Sequence, residues 1–287
     1  MDIKVHRYEL KSKTRRRVGA LLKIDFETHW GVGDLCPIEE WGDASLEEEL
    51  LSLKIGELSS LAQRSVYYAE IDAKARGIKK ALLTKAPPSN LLLQTFDPIP
   101  AEFSHIKIKL GADLPKEIEW LLHLKTTAKL RLDFNDKLTE GSFRSFLNEV
   151  EPIWPKIDYI EDPFAYDDRA WNRVQEDYPI SLACDRSMPE GVGQSPHVLI
   201  WKPMRNKMPH TKQRVVATSS LDHPIGQLAA AFSGMILDEV GGYLSHRWYD
   251  PTPFSKLIDS KGSRLAIPPG FGFGFDELLE KIEWKKI

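Results

Sequence analysis

The chain has 287 residues, 42 % hydrophobic and 28 % charged, and 39 basic against 42 acidic residues give a formal net charge of −3. Such a chain can bury an ordinary core, is not expected to be disordered, and carries no basic field for nucleic acid. Cys36 and Cys184 are too few for a disulfide framework and point to a cytoplasmic protein. No apolar run approaches the roughly 18 residues of a membrane span, and the opening MDIKVHRYEL lacks the apolar stretch of a signal peptide.

Residues 1–87 read as a small α+β module. IKVHRYEL and VGALLKIDF alternate apolar and polar residues, the pattern of paired strands. The turn between them holds Arg15, Arg16 and Arg17 and reads as solvated. GVGDLCP reads as a Gly/Pro loop. Ser45 with Glu48 three residues on forms a capping box, and Leu46, Leu50, Leu53 and Leu58 recur at helical spacing. A second helix is expected over 59–76.

From residue 88 the pattern changes to short apolar strands alternating with amphipathic helices. Strands are expected near 90–95, 106–110, 129–134, 157–161, 181–185, 198–202, 214–219 and 242–245. PKEIEWLLHL and GSFRSFLNEVEP read as crossover helices. Eight strands with helical crossovers predict an α/β fold, a (β/α)-barrel over 88–265 behind the capping module of residues 1–87. Residues 266–287 are expected to pack back on that module. Their Gly/Phe alternation is weak grounds for a phosphate loop.

The segment HIKIKLG, residues 105–111, poses a specific problem. Ile106, Ile108 and Leu110 alternate with Lys107 and Lys109, so both lysines point the same way from a strand that a parallel sheet buries on both faces. The ends of the following strands carry Asp133, Glu161, Asp185 and Lys202, at spacings of 24, 28, 24 and 17 residues from Lys109 onward. In a parallel barrel these ends share one face, where active sites are built. Three carboxylates crowded into a low-dielectric mouth repel one another, and a divalent cation removes that cost. All-oxygen ligation suits Mg²⁺, with Mn²⁺ as a substitute. A partly desolvated lysine beside another cation has a lowered pKa and can act as a base near neutral pH. Any single strand-end acid could instead be a helix cap, and any two lysines could face solvent. The ordered set across five strands points to a site.

KIK, LRLDFN, IEDP, CDRS and WKP resemble the enolase superfamily in its lysine-base branch, the group similar to muconate-lactonizing enzyme. Within it, HWGVGDLCPIEEWGDASLEEEL (29–50), Arg131 two residues before Asp133, VVATSSLDHPIGQLAAA (215–231) and GGYLSHRWYDP (241–251) resemble the o-succinylbenzoate synthases of menaquinone biosynthesis. Tyr243 and Ser245 depart from the family's eighth-strand motif.

The resemblance implies a Mg²⁺-dependent lyase acting on a small carboxylate substrate, with no nucleic-acid or membrane partner. It implies Asp133, Glu161 and Asp185 as metal ligands, Lys109 as the base and Lys202 as a stabilising cation. Lys107 is expected to tune Lys109 and contact the substrate carboxylate. Arg131 is expected to orient Lys109 or the leaving group, with a buried ion pair as the alternative, and Asn135 to support the ligands from behind. Thr218, Ser220 and Gly242 are candidates for the succinyl end of the substrate. Trp30 is expected in a loop over 29–34 that closes on the site, hinged at Gly31 and Gly33. His223, before a proline at a helix start, is expected to be structural. The rival reading is an N-acylamino acid racemase or dipeptide epimerase using the same two lysines. The Asp-x-Asp usual in the eighth strand of the epimerases is missing near 242–245.

Overall fold

A computed structural model describes residues 2–27, 29–93, 99–185 and 193–287. In chain order the elements begin with strands β1 (Asp2–Lys11), β2 (Arg16–Phe26) and β3 (His29–Leu35), then helices α1 (Leu46–Ile55) and α2 (Ser60–Gly77). Next come β4 (Leu91–Leu93), β5 (His105–Lys109), α3 (Leu114–His123), β6 (Lys129–Asp133), α4 (Glu140–Glu149), β7 (Ile157–Glu161) and α5 (Asp168–Asp177). The chain continues through β8 (Leu182–Cys184), β9 (Val198–Trp201), β10 (Arg214–Ala217), α6 (Pro224–Gly234), α7 (Pro253–Ile258), α8 (Asp276–Lys281) and β11 (Lys285–Lys286). Two compact units result: residues 1–88, 202–208 and 217–287 form one, and residues 89–201 and 209–216 form the other.

In the first unit an antiparallel sheet runs in the order β11-β1-β2-β3. The β1–β2 ladder is continuous from Asp2 opposite Asp25 to Lys11 opposite Arg16. Its alternation turns Ile3, Val5, Ala20, Leu22 and Ile24 into a core shared with Leu46, Leu50 and Leu53 of α1 and with Leu61, Ala62 and Ala69. Each Leu, Ile and Val among them contributes about 1.5–3 kcal/mol by leaving water. Helix α1 opens as the sequence indicates. Ser45 Oγ accepts the Glu48 N–H, and the Glu48 carboxylate accepts the Ser45 N–H at 2.9 Å. The last strand returns to the module, with Lys285 and Lys286 opposite Val5 and Lys4.

Residues 29–34 are not a loop. They belong to β3, paired from Phe26–His29 to Ala20–Leu35, and the supposed GVGDLCP loop is strand as far as Leu35. The glycines serve close packing, not a hinge. A Cβ on Gly31 would stand 1.9 Å from the Ala69 carbonyl oxygen, and one on Gly33 would stand 2.1 Å from that of Ser65, so only glycine lets α2 approach this strand. The C-terminal Gly/Phe stretch follows the same logic. Gly272, at φ +60°, meets Asp72 Oδ1 where its Cβ would be, 1.9 Å away. Asp72 accepts the N–H groups of Val32 (2.9 Å) and Phe273 (2.6 Å). These glycines shape a structural turn and not an anion loop.

The second unit holds a sheet ordered β10-β9-β8-β7-β6-β5-β4, with parallel pairing from β4 through β9. Strands β8 and β9 are buried throughout, as a parallel sheet covered on both faces requires. Helices α3, α4 and α5 open on Asp113, Thr139 and Asp167, whose side chains accept N–H groups of the first turn. Their inner faces supply Ile118, Leu121, Phe143, Phe146, Leu147, Trp171 and Val174 to the core against Ile106, Leu130, Leu132 and Ile160. The first seven expected strands are all present; residues 94–95 of the first lie outside the described residues. Among the described residues no eighth strand forms over 242–245; Gly242 makes an isolated parallel bridge with Thr218, its N–H donating to Ala217 O at 3.0 Å.

Candidate active site

The register of the second unit aligns the charged residues. Lys107 lies opposite Arg131, Lys109 opposite Asp133, and Asp133 opposite Glu161. Period two then puts Lys107 and Lys109 on the face that carries both carboxylates. Lys107 Nζ donates to Asp133 Oδ2 at 2.7 Å and to Glu161 Oε1 at 2.5 Å. Lys109 Nζ donates to Asp133 Oδ2 and, at 3.3 Å, to Asn135 Oδ1. Asn135, at φ +51°, turns its amide back so that Nδ2 donates to Asp133 Oδ1 at 2.8 Å. Asn135 thus bonds both Lys109 and the Asp133 carboxylate.

Burial and charge separate the two lysines. The Asp133 and Glu161 side chains are 1 % exposed, Lys107 13 % and Lys109 30 %. Burial alone would lower the Lys107 pKa, but Asp133 and Glu161 outweigh it and hold the ammonium far above its usual range. For Lys109, burial and then repulsion from Lys107 win, and its pKa falls below the usual lysine value. Asp133 is kept ionised by both lysines against the penalty of its burial. One strand thus holds a locked cation beside an amine that loses its proton more easily.

Glu161, Asp162 and Asp185 each offer a carboxylate oxygen within 4.8 Å of the other two. Asp185 donates its N–H to Asp162 Oδ1 at 3.0 Å. Asp133 adjoins this group across the β6–β7 register and is tied to Glu161 through Lys107. An all-carboxylate donor set with charge to spare fits a hard divalent cation. Sequence reasoning missed Asp162, because strand alternation points it away from Glu161's face. The signal for it is a left-handed backbone, φ +41°, that breaks the alternation before Pro163.

Arg131 occupies a different place from the one expected. Its side chain is fully buried, Nε donates to Asp158 Oδ2 at 2.8 Å, and Nη1 donates to Asn90 Oδ1 at 3.1 Å. Its guanidinium lies 4.9 Å from the centre of the Tyr159 ring. Asp158 is also held by Arg214 at 2.7 Å. This is the buried ion pair, the alternative the sequence left open.

The remaining candidates belong to the first unit. Trp30, in β3, lies against Lys23 Nζ at 4.2 Å and the Arg76 guanidinium at 4.4 Å from its ring centre. Thr218 and Gly242 form the bridge described above. Ser220 Oγ is buried with no hydrogen-bond partner among the described residues. Ser220 does not cap α6; His223 does, its Nδ1 accepting the Ile225 N–H at 3.2 Å. Lys202 follows β9, is 8 % exposed, and has its ammonium 5.0 Å from the centre of the Trp41 ring.

Comparison with known proteins agrees with this picture. Residues 3–75 match the sequence family described as the N-terminal domain of O-succinylbenzoate synthase. An o-succinylbenzoate synthase from Bdellovibrio bacteriovorus is 31 % identical over 304 aligned positions, covering 94 % of this chain and 92 % of that protein. Among solved structures, muconate lactonizing enzyme from Pseudomonas putida superposes with a TM-score of 0.75 at 14 % identity, over 98 % of this chain and 99 % of that one. A dipeptide epimerase from Enterococcus faecalis superposes at 0.73 and 16 % identity, over 96 % and 99 %. These two share the fold, the (β/α)-barrel with an N-terminal α+β domain. With a relative this similar along nearly its whole length, the chain belongs to the o-succinylbenzoate synthase family.

Proposed function

We propose that the chain removes water from 2-succinyl-6-hydroxy-2,4-cyclohexadiene-1-carboxylate to form 2-succinylbenzoate, in the menaquinone pathway and in the cytoplasm. The observation that carries the reading is the division of labour on β5. Lys107 bridges Asp133 and Glu161, while Lys109, the more exposed of the two, reaches Asp133 and Asn135.

Asp133, Glu161 and Asp185 are the residues that would hold Mg²⁺, with Asp162 fixing the backbone at Asp185. When bound, the cation neutralises the substrate carboxylate and makes it an electron sink. Lys109, as the free amine, takes the ring proton next to that carboxylate. The resulting ammonium gives the proton to the departing hydroxyl on the same face, the C–O bond breaks, and water leaves as the ring becomes aromatic. Asn135 and Asp133 hold Lys109 on its line of approach. Lys107 keeps the paired carboxylates ionised throughout. Lys202 provides the second cation, stabilising negative charge that develops on the substrate.

The test follows loss of the cyclohexadiene's absorbance. Purified protein with Mg²⁺ should consume the substrate, EDTA should abolish consumption, and added Mg²⁺ or Mn²⁺ should restore it. Protein that leaves the cyclohexadiene untouched but efficiently racemises an N-succinylamino acid would establish the rival reading.

A further inference from the structure

Lys202 is a flexible four-carbon side chain asked to present a charge at a fixed point, and the first unit contains the parts that fix it. After Ile38 the chain makes a short 3-10 turn, Glu39–Trp41, closed by Gly42 at φ +87°. Asp43 fastens the turn, its Oδ2 accepting the Ile38 N–H at 2.7 Å. Its Oδ1 accepts from Arg205 Nη2 at 2.6 Å, in an ion pair whose side chains are 13 % and 14 % exposed. Arg205 lies one turn beyond Lys202, and the N–H groups of Arg205 and Asn206 both donate to Lys202 O at 2.9 Å. Arg64 Nε donates to Pro203 O at 2.9 Å. The segment carrying Lys202 is thus tied to the 38–43 turn through Asp43 and to α2 through Arg64, and the Trp41 ring meets both cations. The Lys202 ammonium and the Arg205 guanidinium each lie 5.0 Å from its centre.

We propose that Trp41 is a positioning residue: its indole face holds the Lys202 ammonium where the reaction needs it, while Asp43 and Arg205 hold the indole. The ring is 43 % exposed and Lys202 8 %, so Trp41 does not fill the core; what it offers is a π face to a largely desolvated cation, the setting in which cation–π attraction is strongest. Ordering the lysine in advance removes a cost that would otherwise fall on the transition state. In its kinetic arm the proposal rests on the dehydratase reading; in its labelling arm it does not.

The experiment replaces Trp41 site-specifically with mono-, di- and trifluorotryptophan, which keep the shape and drain the ring's negative face, and adds Trp41→Phe and Trp41→Leu. The logarithm of kcat should fall stepwise with fluorination and reach roughly three- to thirty-fold for Trp41→Leu, with Phe between and KM within about twofold. In parallel, acylation of Lys202 by an amine-directed reagent, mapped by mass spectrometry, should be faster in Trp41→Leu than in the wild type. A kcat indifferent to fluorination overturns the proposal, as does a rise in KM alone, which would make Trp41 a substrate contact. Equal labelling of Lys202 in wild type and Trp41→Leu also overturns it. If the wild type does not turn over the cyclohexadiene, the functional reading fails, and the labelling arm still decides whether Trp41 holds Lys202.

Discussion

Lys107→Ala should convert a pinned carboxylate pair into a strained one. Asp133 and Glu161, both 1 % exposed, share the Lys107 ammonium at 2.7 and 2.5 Å. Removing one partner of a buried ion pair costs about 3–5 kcal/mol, because the other charge stays behind. Lys109 still reaches Asp133, so the lower end applies, about 3 kcal/mol. At about 2–4 °C per kcal/mol for a chain of this size, the melting temperature in EDTA should drop by roughly 6–12 °C. A bound cation then takes over the neutralisation that Lys107 supplied, so Mg²⁺ should raise the melting temperature of the variant more than that of the wild type. Saturation at about one hundred times Kd supplies about 2.7 kcal/mol. The assay is thermal denaturation followed by circular dichroism, in EDTA and in Mg²⁺. A variant as stable as the wild type in EDTA would refute the account of Lys107 as a structural counter-ion.

Other outcomes follow from the same contacts. Asn135→Ala removes the amide that orients Asp133 and should raise the Mg²⁺ concentration for half-maximal activity about 10–100-fold; an unchanged titration would contradict this. Gly272→Ala forces a Cβ to 1.9 Å from Asp72 Oδ1 at φ +60° and should cost about 2 kcal/mol or more in urea denaturation, whereas Gly262→Ala, with nothing within 4 Å, should cost little. His223 is buried neutral with its pKa lowered to about 3, by burial first and by His6 second. Unfolding lets it bind a proton below its usual value near 6.5, so the stability tied to its neutral form is complete above pH 6.5 and is lost as pH falls toward 3. Asp222, pushed up to about 6 by burial, acts in the opposite sense, so the clean comparison is with His223→Gln. The wild type should lose about 1.4 kcal/mol per pH unit relative to that variant between pH 6 and pH 4, and parallel stability profiles would contradict the assignment.

What the sequence revealed depended on whether a residue's role was local. The alternation of Ile106 and Ile108 with Lys107 and Lys109 is a property of one strand, and so is the spacing of acids at successive strand ends; both were readable. So was the Ser45–Glu48 capping box, which spans one helical turn. Gly31 and Gly33 were misread as a hinge because a glycine carries no sign of what approaches it; here the helix backbone at Ser65 and Ala69 does. Arg131 shares the parity of Asp133, which suggested a shared role, but a guanidinium is long enough to pair with Asp158 instead. Asp162 was hidden by a local break in alternation, and Trp41 by the long sequence separation from Lys202. Contacts of that kind leave no periodic trace.

The central claim is that Lys109 both removes the ring proton and returns it to the leaving hydroxyl. Its most direct test is the rate of 2-succinylbenzoate formation by Lys109→Ala, measured by mass spectrometry against wild type, with circular dichroism confirming that the variant is folded. The account predicts a loss of the order of 10²–10⁴-fold with the fold intact. Formation of 2-succinylbenzoate at the wild-type rate would contradict it.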